Sequence, residues 1–194
     1  RPSGKMGNAL AENAARRGAR VVLISGPVSL KPPFGVETVP VETAAQMRDA
    51  VLARREEATI VIKAAAVADY KPSKPLGQKM KRHEAFSIDL SPTDDIATLL
   101  ANRREEQIVI GFAAETENVL EHARQKMLRK RLDAIVANDV SHPGIGFDSD
   151  QNAVTIITPN DLQEVPAASK AEVAGRILDA AKMLRKRNAY SAAK

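Results

Sequence analysis

Apolar positions along the chain follow two periods, one typical of helices and one typical of buried strands. Apolar residues three or four positions apart predict helices over residues 5–17, 41–55, 95–102, 117–131 and 170–187. Short continuous apolar runs predict strands over residues 19–25, 58–62, 107–110, 132–136 and 152–158. The stretch 70–90, rich in proline and lysine, is expected to form an irregular loop or flap.

Residues at the predicted boundaries support several of these elements. Gly18 follows the first helix at a position where glycine often ends helices. Thr43 and Thr116 stand where the side chain of an N-cap residue would begin the helices at 41–55 and 117–131. We therefore expect strands and helices to alternate along most of the chain.

This alternation predicts an α/β domain with a largely parallel sheet covered on both faces. Parallel sheets bind ligands outside the carboxyl ends of their strands. Those ends are expected at residues 25–27, 64–69, 111–115 and 137–139, which are small or polar. We expect a single domain over residues 1–194, with residues 185–194 as a basic tail.

Composition narrows the possible functions. The chain has no cysteine, which excludes disulfides and thiol chemistry, and its three histidines show no paired metal-ligand spacing. No apolar run is long enough to span a membrane, and we expect a cytoplasmic protein. The net charge of +5 suits an anionic ligand or nucleic acid. Aromatic residues make up only 3%, which weakens the nucleic-acid interpretation because few side chains could stack on bases.

Four polar features could carry chemistry. The segment Ser3-Gly4-Lys5-Met6-Gly7 opens a helix, where it could bind an anion or simply form a glycine turn. Lys79 lies in a basic run that could close over phosphates or remain solvated. Lys126 and Lys130 share a helix face, where they could hold a polyanion or only extend their stems along the core. Asp69 ends the segment 64–69 that follows a predicted strand, where it could bind Mg²⁺ or form a turn. Asp94 and Asp95 could cap the next helix.

Taken together, these segments resemble one family. SGKMG, ISGPVSL, AAAVADY, KMK, GFAAETEN, the Lys126 and Lys130 pair, ANDVS and FDSDQNAV occur in the order and spacing of bacterial phosphopantothenate–cysteine ligase. The resemblance covers Ser3 to about Leu184, and it is most specific in AAVADY and GFAAETEN.

The resemblance implies a Rossmann-like fold, a mostly parallel sheet with helices on both faces, and a homodimer. The reaction it implies joins 4′-phosphopantothenate to L-cysteine through an acyl-cytidylate, with CTP and Mg²⁺ as nucleotide and metal. In that family the domain is commonly fused to a flavin-dependent decarboxylase, and nothing in this sequence resembles that half. We therefore expect the synthetase domain alone, without flavin.

The resemblance also assigns roles residue by residue. The nucleotide-binding positions are Lys63, Ala64, Ala65, Asp69, Lys79, Asp94, Asp95, Ile96, Ala97, Phe112, Lys126 and Lys130. Asp69 is the implied metal ligand, and Lys79 is the implied catalytic residue of the second half-reaction. Substrate binding is implied for Ser3, Gly4, Lys5, Met6, Gly7 and Ala66.

The sequence departs from the family pattern in two places. The asparagine and the first strand that the family carries would lie before Arg1. The turn Ser91-Pro92-Thr93-Asp94-Asp95 differs from the commoner one, which leaves ATP open as an alternative nucleotide. Two other classes compete with the ligase, a nicotinamide-dependent reductase and a basic nucleic-acid-binding module. The reductase would need a GxGxxG motif, which the sequence lacks.

Overall fold

The structure, a computed structural model, describes residues 3–75, 77–78, 87–104, 106–115, 118–139 and 149–192. Its helices over these ranges are α1 (Lys5–Arg16), α2 (Ala44–Arg54), α3 (Ile96–Leu99), α4 (Val119–Arg129) and α5 (Lys170–Ala192). Its strands are β1 (Val22–Ser25), β2 (Glu37–Pro40), β3 (Ile60–Lys63), β4 (Tyr70–Pro72), β5 (Leu90–Pro92), β6 (Ile108–Glu115), β7 (Ala134–Asp139), β8 (Gln151–Ile157) and β9 (Leu162–Ser169).

A five-stranded sheet in the order β3-β6-β7-β8-β9 forms the centre of the fold. The pairs β3–β6 and β6–β7 are parallel, whereas β7–β8 and β8–β9 are antiparallel. A parallel pair, β1–β2, and an antiparallel pair, β4–β5, form two further small sheets. The predicted α/β class with a mostly parallel sheet is therefore confirmed, and the antiparallel pairs are those that the β8–β9 hairpin makes, within itself and with β7.

Helices cover both faces of the central sheet, as predicted. Helices α1 and α5 pack on one face, where Leu10 and Ile177 join a cluster with Ile108 and Val136. Helices α3 and α4 pack on the other face, where Leu100 and Met127 meet Val109 and Ile135. We call these the α1 face and the α4 face of the sheet.

Local sequence signals explain where several elements begin and end. Thr43 caps α2 as predicted, and Gln46 completes a capping box because its side chain accepts from the Thr43 backbone N–H. Gly18 has φ +83, a left-handed conformation that suits glycine after a helix. The helix predicted over 117–131 begins at Val119 with Asn118 at the N-cap, and Thr116 lies outside the described residues.

The structure differs from the expected elements in three places. The stretch 70–90 is not irregular throughout, because its ends form β4 and β5. The short helix predicted over 95–102 is present but shorter, as the four-residue α3 with Asp95 at its N-cap. Strands β2 and β9 were not predicted, because each interrupts its apolar residues with polar ones and contains a proline. In the described part of the chain, no helix is both long and apolar enough to cross a membrane.

Candidate functional site

Lys63 is the last residue of β3, at the carboxyl end of that strand. Neighbouring side chains of a strand alternate between faces. Ile62 and Ala64 pack on the α1 face and Val61 packs on the α4 face, which places Lys63 on the α4 side. Its Nζ donates to the carbonyl of Ala65 at 3.4 Å.

Asp95 connects the short helix α3 to α4. Its Oδ1 accepts from the backbone N–H groups of Ala97, at 3.1 Å, and Thr98, so it is the N-cap that the sequence suggested. Its Oδ2 also lies 2.9 Å from Nζ of Lys130, the residue that ends α4. The Asp95 carboxylate therefore caps α3 and also forms an ion pair with the Lys130 ammonium group at the end of α4.

Three lysines and two carboxylates share this region of the α4 face. Burial lowers the pKa of Lys63, and the nearby charges of Lys130 and Lys126 lower it further, against the opposite effect of Asp95 and Asp69. All three lysines are half-buried, although lysine side chains are usually solvated. We call Lys63, Lys126 and Lys130 the lysine cluster. Such a concentration of positive charge suits a ligand that carries several negative charges.

The Asp95 carboxylate stays ionised. Burial alone would raise the pKa of Asp95, but hydrogen bonds from Lys130 and Thr98 outweigh it, and the pKa lies below its ordinary value. Asp95 is thus negatively charged near neutral pH and holds Lys130 in place. A bound polyanion would meet an ordered ammonium group at this position.

Asp69 directly precedes β4, the first strand of the β4–β5 pair. Thr93 fixes this loop, because its N–H donates to the Asp69 carbonyl at 2.9 Å and its Oγ1 donates to the Ala68 carbonyl at 2.6 Å. The Asp69 carboxylate is exposed, near enough to Lys63 to affect its pKa. Among the described residues, no group of three or more acidic, histidine or cysteine side chains could hold a metal. One carboxylate fits Mg²⁺ that arrives with a phosphate ligand, since such ions keep few protein ligands.

The remaining positions of the 94–97 turn have other environments. Asp94 forms an ion pair with Arg48 of α2. Ile96 and Ala97 are buried in the core of the α4 face, so only their backbone groups could contact a ligand. Asp95 is therefore the member of this turn whose side chain joins the lysine cluster.

The α1 face carries the second group of predicted residues. Gly4 precedes α1 with φ +74, and a Cβ there would lie 2.8 Å from Cγ1 of Val28, so glycine is required. Ser3 Oγ accepts from the Lys5 N–H at 3.4 Å, and Met6 packs against the core. Lys5 Nζ pairs with Asp150 at 2.7 Å.

Asn138 lies in the strand end 137–139 that the sequence indicated as ligand-facing, although no role was predicted for its side chain. It lies near the end of β7 on the α1 face, only 5% exposed, and its Oδ1 has no hydrogen-bond partner among the described residues. Phe112 and Ala64 pack against the same α1-face core. A buried amide oxygen without a partner costs free energy unless a ligand donates to it. The signal in the sequence was a polar residue directly after the apolar run 134–137.

The structure thus divides the predicted residues between two faces that meet at the end of β3. The α4 face carries Lys63, Asp95, Lys126 and Lys130, whereas the α1 face carries Ser3, Gly4, Met6, Ala64 and Phe112. Ala65 and Ala66 are exposed between them. Lys79, the predicted catalytic residue, lies outside the described residues.

Comparison with known proteins agrees with the resemblance that the sequence motifs indicate. A family model described as "DNA/pantothenate metabolism flavoprotein C-terminal domain" matches residues 1–184. The coenzyme A biosynthesis bifunctional protein CoaBC of Bacillus subtilis (strain 168) is 49% identical over 179 residues, which cover 91% of this chain and 44% of that protein. CoaBC of Escherichia coli (strain K12) is 45% identical over 181 residues, covering 91% and 44%.

A crystal structure of the C-terminal domain of CoaBC has the same fold. It aligns with a TM-score of 0.80 and 40% identity, over 95% of this chain and 84% of that one. The chain spans less than half the length of the curated relatives it matches. Since the family match covers nearly all of the sequence, this chain belongs to the family of DNA/pantothenate metabolism flavoprotein C-terminal domains.

Proposed function

We propose that this chain joins 4′-phosphopantothenate to L-cysteine in coenzyme A biosynthesis, activating the acid with CTP. Family membership supports this role, as does the similarity to bifunctional coenzyme A biosynthesis proteins. The structural observation that carries it is the lysine cluster, Lys63, Lys126 and Lys130, held on one face with Asp95 and Asp69. Ordered ammonium groups of this kind suit a nucleoside triphosphate.

In the first half-reaction, a carboxylate oxygen of 4′-phosphopantothenate attacks the α-phosphorus of CTP. A new P–O bond forms, the bond to the β-phosphate oxygen breaks, and pyrophosphate leaves. Negative charge builds up on the leaving pyrophosphate, where Lys63, Lys126 and Lys130 can stabilise it. Asp69 would hold Mg²⁺, which supplies further positive charge to the phosphates when it is bound.

In the second half-reaction, the amine of cysteine attacks the acyl carbon of the cytidylate. The new C–N bond replaces the C–O bond to the phosphate, and CMP leaves after the amine loses a proton. Lys79 is proposed to act in this step by neutralising charge as CMP departs.

The acid is proposed to bind on the α1 face. Gly4 lets the backbone turn tightly ahead of α1, and the N-terminal N–H groups of α1 favour an anion. The Oδ1 of Asn138 has no hydrogen-bond partner among the described residues, and 4′-phosphopantothenate carries hydroxyl and amide donors that could reach it. In this proposal the acid lies on one face and the triphosphate on the other, and the reacting groups meet near Ala64, Ala65 and Ala66 at the end of β3; the division of the predicted residues between the two faces supports it.

We further propose that the domain forms a homodimer through the β4–β5 arm. Tyr70, Ile88 and Leu90 expose 63%, 58% and 58% of their surface along this arm. Apolar side chains grouped on an arm suit burial against a second copy. The proposed partners also include a flavin-dependent decarboxylase domain in the same polypeptide. The reaction described above needs no flavin in this domain.

Pyrophosphate release tests the proposed function. The protein is mixed with 4′-phosphopantothenate, CTP and Mg²⁺ before cysteine is added. We expect release that depends on the acid and exceeds release with ATP. Absence of release from the folded protein, checked by circular dichroism, would exclude the ligase.

The Lys79→Gln variant separates the two half-reactions. We expect it to release pyrophosphate while amide formation falls, because the proposed role of Lys79 concerns only the departure of CMP. Equal loss of both activities would exclude that role.

A further inference from the structure

Two consecutive residues of the turn ahead of α3 are tied to two different helices. Asp95 forms an ion pair with Lys130 at the end of α4. Asp94, the residue before it, forms an ion pair with Arg48 of α2, in which Nη1 of Arg48 donates to Oδ2 of Asp94. The N–H of Thr93 attaches the same turn to the loop that follows β3, at 2.9 Å. The turn is therefore held from three directions before α3 begins.

The contact to α2 depends on how the Arg48 guanidinium group is oriented. Nε and Nη2 of Arg48 lie 2.8 and 2.7 Å from Oδ1 of Asp49, the next residue of the helix. A guanidinium group is planar and rigid, so these two contacts fix the direction in which Nη1 points. Asp49 thus orients Arg48, and Arg48 in turn orients Asp94.

Helix α2 gives this contact a packed base. Met47 and Val51, which flank Arg48 along the helix, pack against the core of the α4 face. The Arg48 side chain is itself only 29% exposed, although arginine side chains are mostly exposed. The guanidinium group is therefore presented to the turn from a packed helix.

The ion pair between Arg48 and Asp94 should contribute little to the stability of the fold. The Asp94 side chain is 55% exposed, and solvent screens charges in such a position. The pair should therefore affect where the turn lies more than whether the protein folds.

The position of the turn matters for the lysine cluster. Asp94 and Asp95 are adjacent, so a displacement of one carboxylate displaces the other. Asp95 holds the Lys130 Nζ atom at 2.9 Å, and Lys130 belongs to the cluster at which the phosphates of the nucleotide are proposed to bind. The contact to α2 is thus connected to the phosphate site through three consecutive ion-pair or backbone links.

We propose that Arg48 is a positioning residue of the nucleotide site. Its ion pair with Asp94 holds the turn from which Asp95 orients the Lys130 ammonium group towards the phosphates. Arg48 acts through Asp94 and does not itself touch the nucleotide. A group that is held in place before binding loses less conformational freedom when the ligand arrives, so the nucleotide binds more tightly. The inference rests on the proposed function, because it concerns the site in which CTP is proposed to bind.

Calorimetric titration with CTP measures this role. We expect Arg48→Met to raise the Kd for CTP about tenfold, because small displacements of binding groups are costly. Arg48→Lys keeps the charge and should recover most of that loss. Arg55→Met is the matched control, because Arg55 ends the same helix, its side chain is 31% exposed and it pairs with the adjacent Glu56. The control should change the Kd by less than about twofold.

A second substitution shows whether Arg48 acts through Asp94. Asp94→Asn removes the charge that Arg48 holds, and we expect it to raise the Kd for CTP by a similar factor. In the Asp94→Asn background, Arg48→Met should have less than about a twofold further effect, since the two residues form one unit. An undiminished effect in that background would show that Arg48 binds the nucleotide directly, and it would overturn the positioning role.

Hydrogen exchange in the nucleotide-free protein tests the same contact independently of the proposed function. The Ala97 and Thr98 amides donate to Oδ1 of Asp95. In Arg48→Met, we expect both amides to exchange at least about fivefold faster than in the wild type. The Gln46 amide donates within the cap of α2 and should keep its rate, which would show that α2 remains formed.

The possible outcomes separate this inference from the proposed function. If the wild type binds no CTP, the proposed function fails and the positioning role fails with it. If the wild type binds CTP and Arg48→Met binds it equally well, only the positioning role fails. Equal acceleration of exchange at Gln46 would also overturn that role, because Arg48 would then only maintain α2.

Discussion

The Nζ atom of Lys130 lies 2.9 Å from Oδ2 of Asp95, and this ion pair joins the end of α4 to the beginning of α3. The same carboxylate caps α3 through its other oxygen. One acid therefore fixes both a helix start and the position of an ammonium group next to Lys63. Nucleotide binding is expected to depend on this arrangement.

Removing either lysine of α4 should weaken triphosphate binding. We expect Lys126→Gln and Lys130→Gln each to raise the Kd for CTP about 10- to 100-fold, the effect of losing one hydrogen bond to a charged group. Arg124→Gln is the matched control, because Arg124 is an exposed cation on the same helix. Isothermal titration calorimetry should show a change of less than about twofold for the control. Equal effects of all three variants would mean that only overall charge attracts the nucleotide.

Lys63→Met should weaken CTP binding without lowering the stability of the protein. The pKa of Lys63 in the folded protein lies below its unfolded value, so the charged lysine costs stability at pH values below the folded pKa. That cost diminishes as pH rises through the folded pKa towards the unfolded value of about 10.4. We therefore expect urea unfolding at pH 7.5 to show the variant at least as stable as the wild type, with less advantage at pH 10.5. The Kd for CTP should rise about tenfold or more. A variant that is less stable at pH 7.5 would contradict this environment for Lys63.

Gly4 and Gly7 should respond oppositely to alanine. Gly4→Ala introduces a Cβ 2.8 Å from Val28 at φ +74, and we expect a loss of about 1–3 kcal/mol in the free energy of unfolding. At Gly7, inside α1, an added Cβ would meet no described atom within 4 Å beyond its chain neighbours and the backbone of its own helix, so Gly7→Ala should stabilise by about 0.5–1 kcal/mol. Chemical denaturation measures both. If Gly4→Ala is neutral, the turn ahead of α1 is not constrained as described.

Asn138→Ala should affect the acid more than the fold. Its Oδ1 is buried without a partner among the described residues, so its removal should change the free energy of unfolding by no more than about 1 kcal/mol. Thr38→Val is the control, since Thr38 Oγ1 is also buried and unpartnered but lies on β2. We expect the Kd for 4′-phosphopantothenate to rise about tenfold in Asn138→Ala only. Unchanged binding in both variants would exclude Asn138 from the site.

Sequence signals of short range anticipated much of the fold. Thr43 and Gln46 form a capping box within four residues, and Gly18 ends α1 with a left-handed conformation. Strand β9 could not be recognised in this way, because Glu164 and Pro166 interrupt its apolar residues. Proline is tolerated there because β9 is an edge strand of the described sheet.

The candidate site depends on contacts that no local pattern encodes. The spacing of Lys126 and Lys130 places them on one helix face, but Asp95 as their neighbour follows only from the packing of α3 against α4. The sequence likewise could not show that Ile96 and Ala97 turn their side chains into the core. Asn138 is recognisable only once its burial and its unpartnered oxygen are known.

Transfer of an oxygen isotope tests the central claim most directly. The protein is supplied with 4′-phosphopantothenate carrying ¹⁸O in both carboxylate oxygens, together with CTP, Mg²⁺ and cysteine, and the products are analysed by mass spectrometry. Attack of the carboxylate on the α-phosphorus predicts one ¹⁸O atom in each CMP formed and none in pyrophosphate. Formation of the amide with unlabelled CMP would contradict an acyl-cytidylate and the assignment of the lysine cluster to its leaving group.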